Sequence, residues 1–256
     1  MRILFVGDIV GSVGREMVET YVPKLKKEKN IDLVIANGEN AAHGKGITKK
    51  IYQQLLSAGV DVITLGNHAF SKDTIFSFIE EADRMVRPMN LEPLDGGQYY
   101  KVVEVCGRRI CIVNLMCNVF MVQVKGSPFE CMSKVLKEVK ADLYFVDLHG
   151  EATSEKIAFS YFFEGKVQMI VGTHTHVQTA DERVENNTAF ISDAGMCGAY
   201  RSVIGRDVEE VLTRFTTEEK TRFTVAEGSG IFCGVIYDVD ESTNTPKSIE
   251  RVQIRP

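Results

Sequence analysis

The sequence predicts an α/β protein made of two mixed sheets packed together with helices outside. Three observations point there. Apolar, β-branched runs alternate with helix-like stretches over the first third of the chain. A middle segment and the C-terminal segment read instead as antiparallel hairpins. No repeat, low-complexity tract or linker separates these parts, so residues 1–256 are read as one domain.

The elements follow in order. Residues 3–6 form a strand, and residues 13–28 a helix that Pro23 kinks or restarts, because proline lacks the N–H an inner turn needs. Residues 33–36 form the next strand. Thr48 can cap a helix running to about Ser57. Residues 62–65 are a third strand, and residues 71–81 a helix. This βαβαβ order predicts parallel strands with helices packed on the faces. Residues 99–105 and 109–114 flank Cys106-Gly107-Arg108 as a hairpin. Residues 128–139 are helical. Residues 143–146 and 167–171 are buried strands on either side of a helix over residues 154–163. Residues 189–192 add a strand, and residues 231–239 and 249–254 close the chain as antiparallel strands around Asp240-Glu241-Ser242-Thr243-Asn244.

Composition narrows the function. Hydrophobic residues make up 44% of the chain, and mean hydropathy is −0.06. No apolar run approaches the roughly 18 residues that span a bilayer. The first residues read as a strand rather than a secretory signal, so a cytoplasmic protein is expected. The net charge of −5 argues against nonspecific binding to a nucleic-acid backbone, though not against a small nucleotide substrate. Six cysteines without a CxxC pair read as reduced, mostly buried thiols.

The informative residues lie where the strands end. In open α/β sheets the functional loops gather at the carboxyl ends of the strands. Here those ends read Gly7-Asp8, Asn37-Gly38-Glu39-Asn40, Gly66-Asn67-His68, Asp147-Leu148-His149 and Gly172-Thr173-His174-Thr175-His176. Taken singly, each has an ordinary explanation. Asp8 could cap a helix, Asn67 and His68 could sit in a polar turn, and His149 could be a satisfied core histidine. One such cluster at each of five strand ends is not easily made by turns and caps. Carboxylate, carboxamide and imidazole groups without a thiolate suit manganese, iron or zinc. Asp8, Glu39, Asn40, Asn67, His149, His174 and His176 are more ligands than one tetrahedral ion needs. With a carboxylate able to bridge, they suggest two ions about 3.5–4 Å apart.

The order Asp, Glu-Asn, Gly-Asn-His, His, His-x-His resembles the calcineurin-like metallophosphoesterase superfamily. Its departures resemble the YmdB-like bacterial phosphodiesterase branch: no histidine two residues after Asp8, Glu39-Asn40 in motif two, and Ala69 after Gly66-Asn67-His68. Further matches include Gly11-Ser12-Val13-Gly14-Arg15, Arg87-Pro88, residues 149–156 and Ser202-Val203-Ile204-Gly205. Local differences are Phe70, where the branch often has tryptophan, and Cys117-Asn118, where it often has Gly-Arg. The second removes a possible phosphate-binding cation.

The resemblance implies a four-layer α/β/β/α metallophosphoesterase-type sandwich. It implies that Asp8, Glu39, Asn40 and His176 hold one ion, and that Glu39, Asn67, His149 and His174 hold the other, with Glu39 bridging. The ions would be iron or manganese, with zinc compatible. His68 would orient the phosphate or protonate the leaving oxygen, while His43 is expected at the surface or pocket rim. The implied activity is a phosphodiesterase acting on 2′,3′-cyclic nucleotides or RNA-derived phosphodiesters through hydroxide bridging the metals. A homo-oligomer, dimer or tetramer, is implied as well, and the lack of a long apolar run leads to an expectation of no membrane partner. A phosphomonoesterase on the same site and a non-catalytic interaction scaffold are the competing readings.

Overall fold

The alternation of side chains along each strand decides the layering. In the computed structural model, which describes residues 1–256, β1 (Arg2–Val6) sends Ile3 and Phe5 to one face and Leu4 and Val6 to the other. The first half continues with β2 (Asp8–Ile9), α1 (Gly11–Glu28), β3 (Leu33–Asn37), α2 (Lys49–Ser57), β4 (Val62–Thr64), β5 (Met85–Val86), β6 (Tyr100–Val105) and β7 (Arg108–Met116). The second half holds α3 (Pro128–Glu138), β8 (Leu143–His149), α4 (Thr153–Phe162), β9 (Met169–Thr173), β10 (Arg183–Glu185), β11 (Thr188–Ile191), β12 (Met196–Ala199), α5 (Val208–Thr216), β13 (Gly230–Asp240) and β14 (Thr245–Ile254).

One sheet has the order β2-β12-β13-β1-β3-β4-β5, with β14 on the far side of β13, and the other β10-β11-β9-β8-β7-β6. Both are mixed. In the first, β1, β3, β4 and β5 are parallel and β13 runs against β1. In the second, β7, β8, β9 and β11 are parallel, with β6 and β10 antiparallel at the edges.

Three apolar layers hold the sheets and helices together. Ile3, Phe5 and Ile35 of one sheet meet Ile112, Phe145 and Val171 of the other. On the opposite face of the first sheet, Leu4, Val34 and Ile63 pack on Val18 and Val22 of α1 and Leu55 of α2. On the opposite face of the second, Val113, Val146 and Ile170 pack on Met132 and Val135 of α3 and Phe159 of α4. The result is the expected α/β/β/α sandwich.

Several local expectations change. α1 runs unbroken through Pro23, because buried Val18, Val22 and Leu25 anchor one face on both sides of the lost hydrogen bond. Residues 71–81 form two 3-10 segments, Asp73–Ser77 and Ile79–Glu81, instead of an α-helix. The Ser77 hydroxyl competes for the local backbone, donating to Thr74 O at 2.7 Å. β5, β10 and β12 are too short to show a period, whereas α5 was missed although Val208, Val211, Leu212 and Phe215 have helical spacing. Thr48 does cap α2, accepting from Ile51 N at 3.4 Å. All six cysteines are free, and Cys111, Cys117, Cys197 and Cys233 are buried. No helix is long and apolar enough to cross a membrane.

Candidate metal centre

Five strand ends meet at one end of the sandwich. Parallel pairing brings the tips level: Val6 lies beside Ala36, Asn37 beside Thr64, and His149 beside Thr173. The first sheet thereby presents Asp8, Glu39, Asn40 and Asn67, and the second His149, His174 and His176. Asp8 is not a helix cap. It lies in β2, fully buried, and the residue at the start of α1 is Val10.

The contacts fall into two groups that share Glu39. In the first, ligand atoms of Glu39, His149 and His174 lie within 4.8 Å of one another. His149 Nε2 is 2.8 Å from Asn67 Oδ1 and 3.3 Å from Glu39 Oε1, and His174 Nδ1 is 3.1 Å from His149 Nε2. In the second, Asn40 Nδ2 donates to Glu39 Oε1 at 3.0 Å and sits 3.2 Å from His176 Nε2. His176 Nε2 is 3.9 Å from Asp8 Oδ1. Gly66 is required beside them, since a side chain there would collide with Glu39 Oε2 and His149.

Outer contacts aim all three imidazoles, hydrogen bonds for His149 and His176 and a close carboxylate for His174. His149 Nδ1 meets Thr173 Oγ1 at 2.9 Å, and that hydroxyl donates to Asp147 Oδ1 at 2.6 Å. A hydroxyl has one proton, so His149 Nδ1 is the donor and Nε2 faces inward. Burial disfavours the charged ring, but the Glu39 carboxylate outweighs it and raises this imidazole to about 9, so a metal held there would displace the Nε2 proton. His176 Nδ1 donates to Ile204 O at 2.8 Å, again leaving Nε2 inward. His174 points the other way round, with Nε2 at 3.2 Å from Glu151 Oε2 and Nδ1 inward. Thr173, Asp147 and Glu151 were not singled out by role from sequence. The signal available for Asp147 was its position two before His149, which puts both on one face of β8.

The His-Thr-His loop is strained and tied down. His174 and His176 take φ values of 103° and 66°, unfavourable for side chains. His174 N donates to Asp8 Oδ2 at 3.2 Å, and Thr175 N to Asp193 Oδ2 at 3.0 Å. Asp193 is in turn paired with buried Lys156 at 3.3 Å, and Lys156 also donates to Thr173 O at 2.8 Å.

The electrostatics fit a cation. Asp8 Oδ1 is buried with no hydrogen-bond donor. Burial pushes the Asp8 carboxyl up to about 7, although His176 and His149 oppose the shift. Burial alone would raise Glu39 too, but the adjoining His149 outweighs it and holds the carboxyl below its usual range. Burial, His149 and His176 push His174 down to about 3, so its imidazole is neutral, as a metal ligand must be. Inward imidazole nitrogens, buried carboxylates and carboxamides together make an oxygen and nitrogen donor set that suits a divalent metal.

The remaining sequence candidates lie around this centre. His68 donates its backbone N–H to Glu39 Oε2 at 2.8 Å, and its Nδ1 lies 3.2 Å from Ser71 Oγ. Burial, Lys45, His149 and Arg206 lower its pKa, against the pull of Glu39. His68 lines an open cavity of about 250 Å³ with Glu39, Asn40, Glu151, His174 and His176. His43 is exposed and lines separate cavities. Asn118 brings no charge; its amide donates to Gly126 O at 3.2 Å.

The chain has clear relatives. A protein of Bacillus subtilis named 2′,3′-cyclic-nucleotide 2′-phosphodiesterase is 44% identical over 99% of this chain and 97% of its own length. The crystal structure of a novel phosphatase from Mycoplasma pneumoniae is 35% identical, covers 100% of this chain and 93% of its own, and superposes with a TM-score of 0.95. A putative 5′-nucleotidase from Staphylococcus aureus shares the fold alone: TM-score 0.64 at 15% identity, over 100% of this chain and 55% of its own. The model of the YmdB-like protein family matches residues 4–252, and this chain belongs to that family.

Proposed function

We propose that this chain is a metal-dependent phosphodiesterase that opens 2′,3′-cyclic nucleotides. One observation carries the reading. Seven oxygen- and nitrogen-bearing side chains from five strand ends meet, among them buried Asp8, whose Oδ1 has no donor. Asp8, Asn40 and His176 would hold one ion and Asn67, His149 and His174 the other, with Glu39 shared. The two groups of contacts support that division. The Asn40 carboxamide, reversed about Cγ, would place Oδ1 where Nδ2 now sits. Iron or manganese suits this donor set, and zinc is compatible.

Ions held there supply Lewis acidity, making water nucleophilic near neutral pH and offsetting charge on phosphoryl oxygens. The chain's own groups do the rest. Thr173, Ile204 and Glu151 orient the three histidines, and the Lys156–Asp193 pair fixes the loop that carries two of them. His68, whose Nδ1 meets Ser71, keeps Nε2 to orient the phosphate or, when that nitrogen is protonated, to give a proton to the leaving oxygen. The cyclic-nucleotide assignment is supported by the name of the Bacillus subtilis relative.

The name of the Mycoplasma pneumoniae structure, a phosphatase, favours a second reading in which monoesters are the substrate. Hydrolysis of bis-p-nitrophenyl phosphate and of p-nitrophenyl phosphate, with and without Mn²⁺, separates them. Metal-dependent turnover of the diester, with little of the monoester, is expected. Preference for the monoester would replace the proposal with a phosphatase, and no turnover by folded, metal-loaded protein would favour a non-catalytic scaffold. 2′,3′-cyclic AMP is the next substrate to test.

A further inference from the structure

Histidines aside, Arg206 is the one cationic side chain lining the metal-centre cavity. Its placement is built into the backbone. Residues 203–206 close a tight turn in which Val203 N donates to Arg206 O and Arg206 N to Val203 O, both at 2.9 Å. Ile204 sits at φ 47° and Gly205 at φ 92°. A β-branched residue in the left-handed region is strained, and such strain persists only where surrounding contacts enforce it. Here it serves two purposes. The Ile204 carbonyl accepts a hydrogen bond from His176 Nδ1, and the next side chain but one reaches the same cavity.

The guanidinium is held at one corner only. Nη2 donates to Gly44 O at 2.8 Å, while Nε and Nη1 donate to no protein atom. Gly44, at φ 79°, lacks the side chain that would occupy the space taken by Nη1. No carboxylate pairs with Arg206. Glu151, the acid that shares its cavity, is turned to His174 Nε2 at 3.2 Å. A half-buried guanidinium usually finds an anion, because its planar fork is shaped for carboxylate or phosphate.

We infer that Arg206 is the phosphate-binding cation of this site, donating the N–H groups that Gly44 O leaves free to non-bridging phosphoryl oxygens of the substrate. The inference rests on the phosphoryl chemistry proposed above. It adds a recognition element that is separate from the metal ligands and faces the same cavity.

The test uses full-length, Mn²⁺-loaded protein, with Arg206→Met and Arg206→Lys beside wild type. Inorganic phosphate is the probe, its affinity measured by calorimetry, with bound metal counted in every sample. A charge-assisted hydrogen-bond pair is worth roughly a tenfold to hundredfold change in affinity. Arg206→Met is therefore expected to weaken phosphate binding about tenfold or more and to raise KM for a diester more than it lowers kcat. Metal per chain should stay unchanged, and Arg206→Lys should recover part of the loss. Unchanged phosphate affinity in metal-loaded Arg206→Met overturns the inference. So does a loss explained wholly by missing metal, and so does wild-type protein that binds no phosphate. Diester turnover by wild type is read separately. Arg206-dependent phosphate binding in a protein that hydrolyses nothing would sustain this role and sink the catalytic reading instead.

Discussion

The layer between the two sheets has two ends made from the same strands. At the deep end Phe5, Phe145 and Tyr237 pack by area, with Phe145 centred 5.7 Å from each of the other two rings. Towards the metal centre, β3, β4, β7, β8 and β9 instead bury Asn37, Thr64, Asn114, Asp147 and Thr173. These join the sheets by direction. Asp147 Oδ2 accepts from Asn37 Nδ2 at 3.0 Å and from Thr64 Oγ1 at 2.5 Å. Asn114 Oδ1 accepts from Leu65 N at 3.1 Å. Dispersion and burial tolerate small slides between sheets, whereas hydrogen bonds weaken steeply with misalignment. The apolar end therefore supplies stability, and the polar end sets the position of one sheet's candidate ligands against the other's. Burial raises the Asp147 carboxyl even though Thr173, Thr64 and Asn37 all donate to it, so the polar end is held at some cost.

Substitutions at the two ends should separate these contributions. The largest effect is expected at the centre itself. Glu39→Gln removes the shared carboxylate, so bound metal and diester turnover should each fall by more than about 100-fold, beyond the 10–100-fold usual for outer partners. Normal metal content in this variant, read by elemental analysis, would remove Glu39 from the shared position. Next come paired changes on β8. Phe145→Ala should lower unfolding free energy by about 3–5 kcal/mol with unchanged metal affinity per folded chain. Asp147→Ala, which leaves Thr64, Asn37 and Thr173 without their acceptor, should lower it by about 2–3 kcal/mol. It should also weaken metal binding about 10–100-fold. Denaturant unfolding beside metal titration reads both, and equal metal affinity in the two variants would erase the contrast.

A smaller effect is expected from pH. Asp8 is raised from 3.8 to about 7 by burial. A carboxyl raised on folding contributes stability that is complete below its unfolded pKa and is lost as pH rises through its folded one. In chelator-treated protein, Asp8→Asn should therefore be more stable than wild type at pH 8, by about 2–4 kcal/mol, and no more stable near pH 4. Parallel stability curves for the two proteins would show that Asp8 is not desolvated as described. Smallest is Thr173→Val, which cuts the link from Asp147 to His149. About 1 kcal/mol of stability and roughly tenfold in metal affinity should go. A change in stability alone would mean that Thr173 does not aim His149.

Much of the candidate site was legible because its groups are written locally. An apolar strand followed at once by Asp8, by Glu39-Asn40 or by Asn67-His68 is a pattern within a few residues, and parallel pairing needs no more than that to bring the tips together. The alternation that assigns Ile3 and Phe5 to one face and Leu4 and Val6 to the other is equally local. Residues 71–81 misled because apolar Ile75, Phe78 and Ile79 have helical spacing, while the polar residues between them favour tighter turns.

Some features were out of reach for a different reason. Arg206 is bonded to Gly44 across 162 positions, His174 to Asp8 across 166, and Asn37 to Asp147 across 110. The sequence by itself determined which chemical groups stand at the strand ends and which faces of the strands are apolar, since both follow from neighbouring residues and the period of the chain. Only the tertiary structure decided which nitrogen of each histidine faces inward, which carboxylate is left without a donor, and which cation enters the cavity. Those depend on directional contacts between segments that meet only after the two sheets have packed.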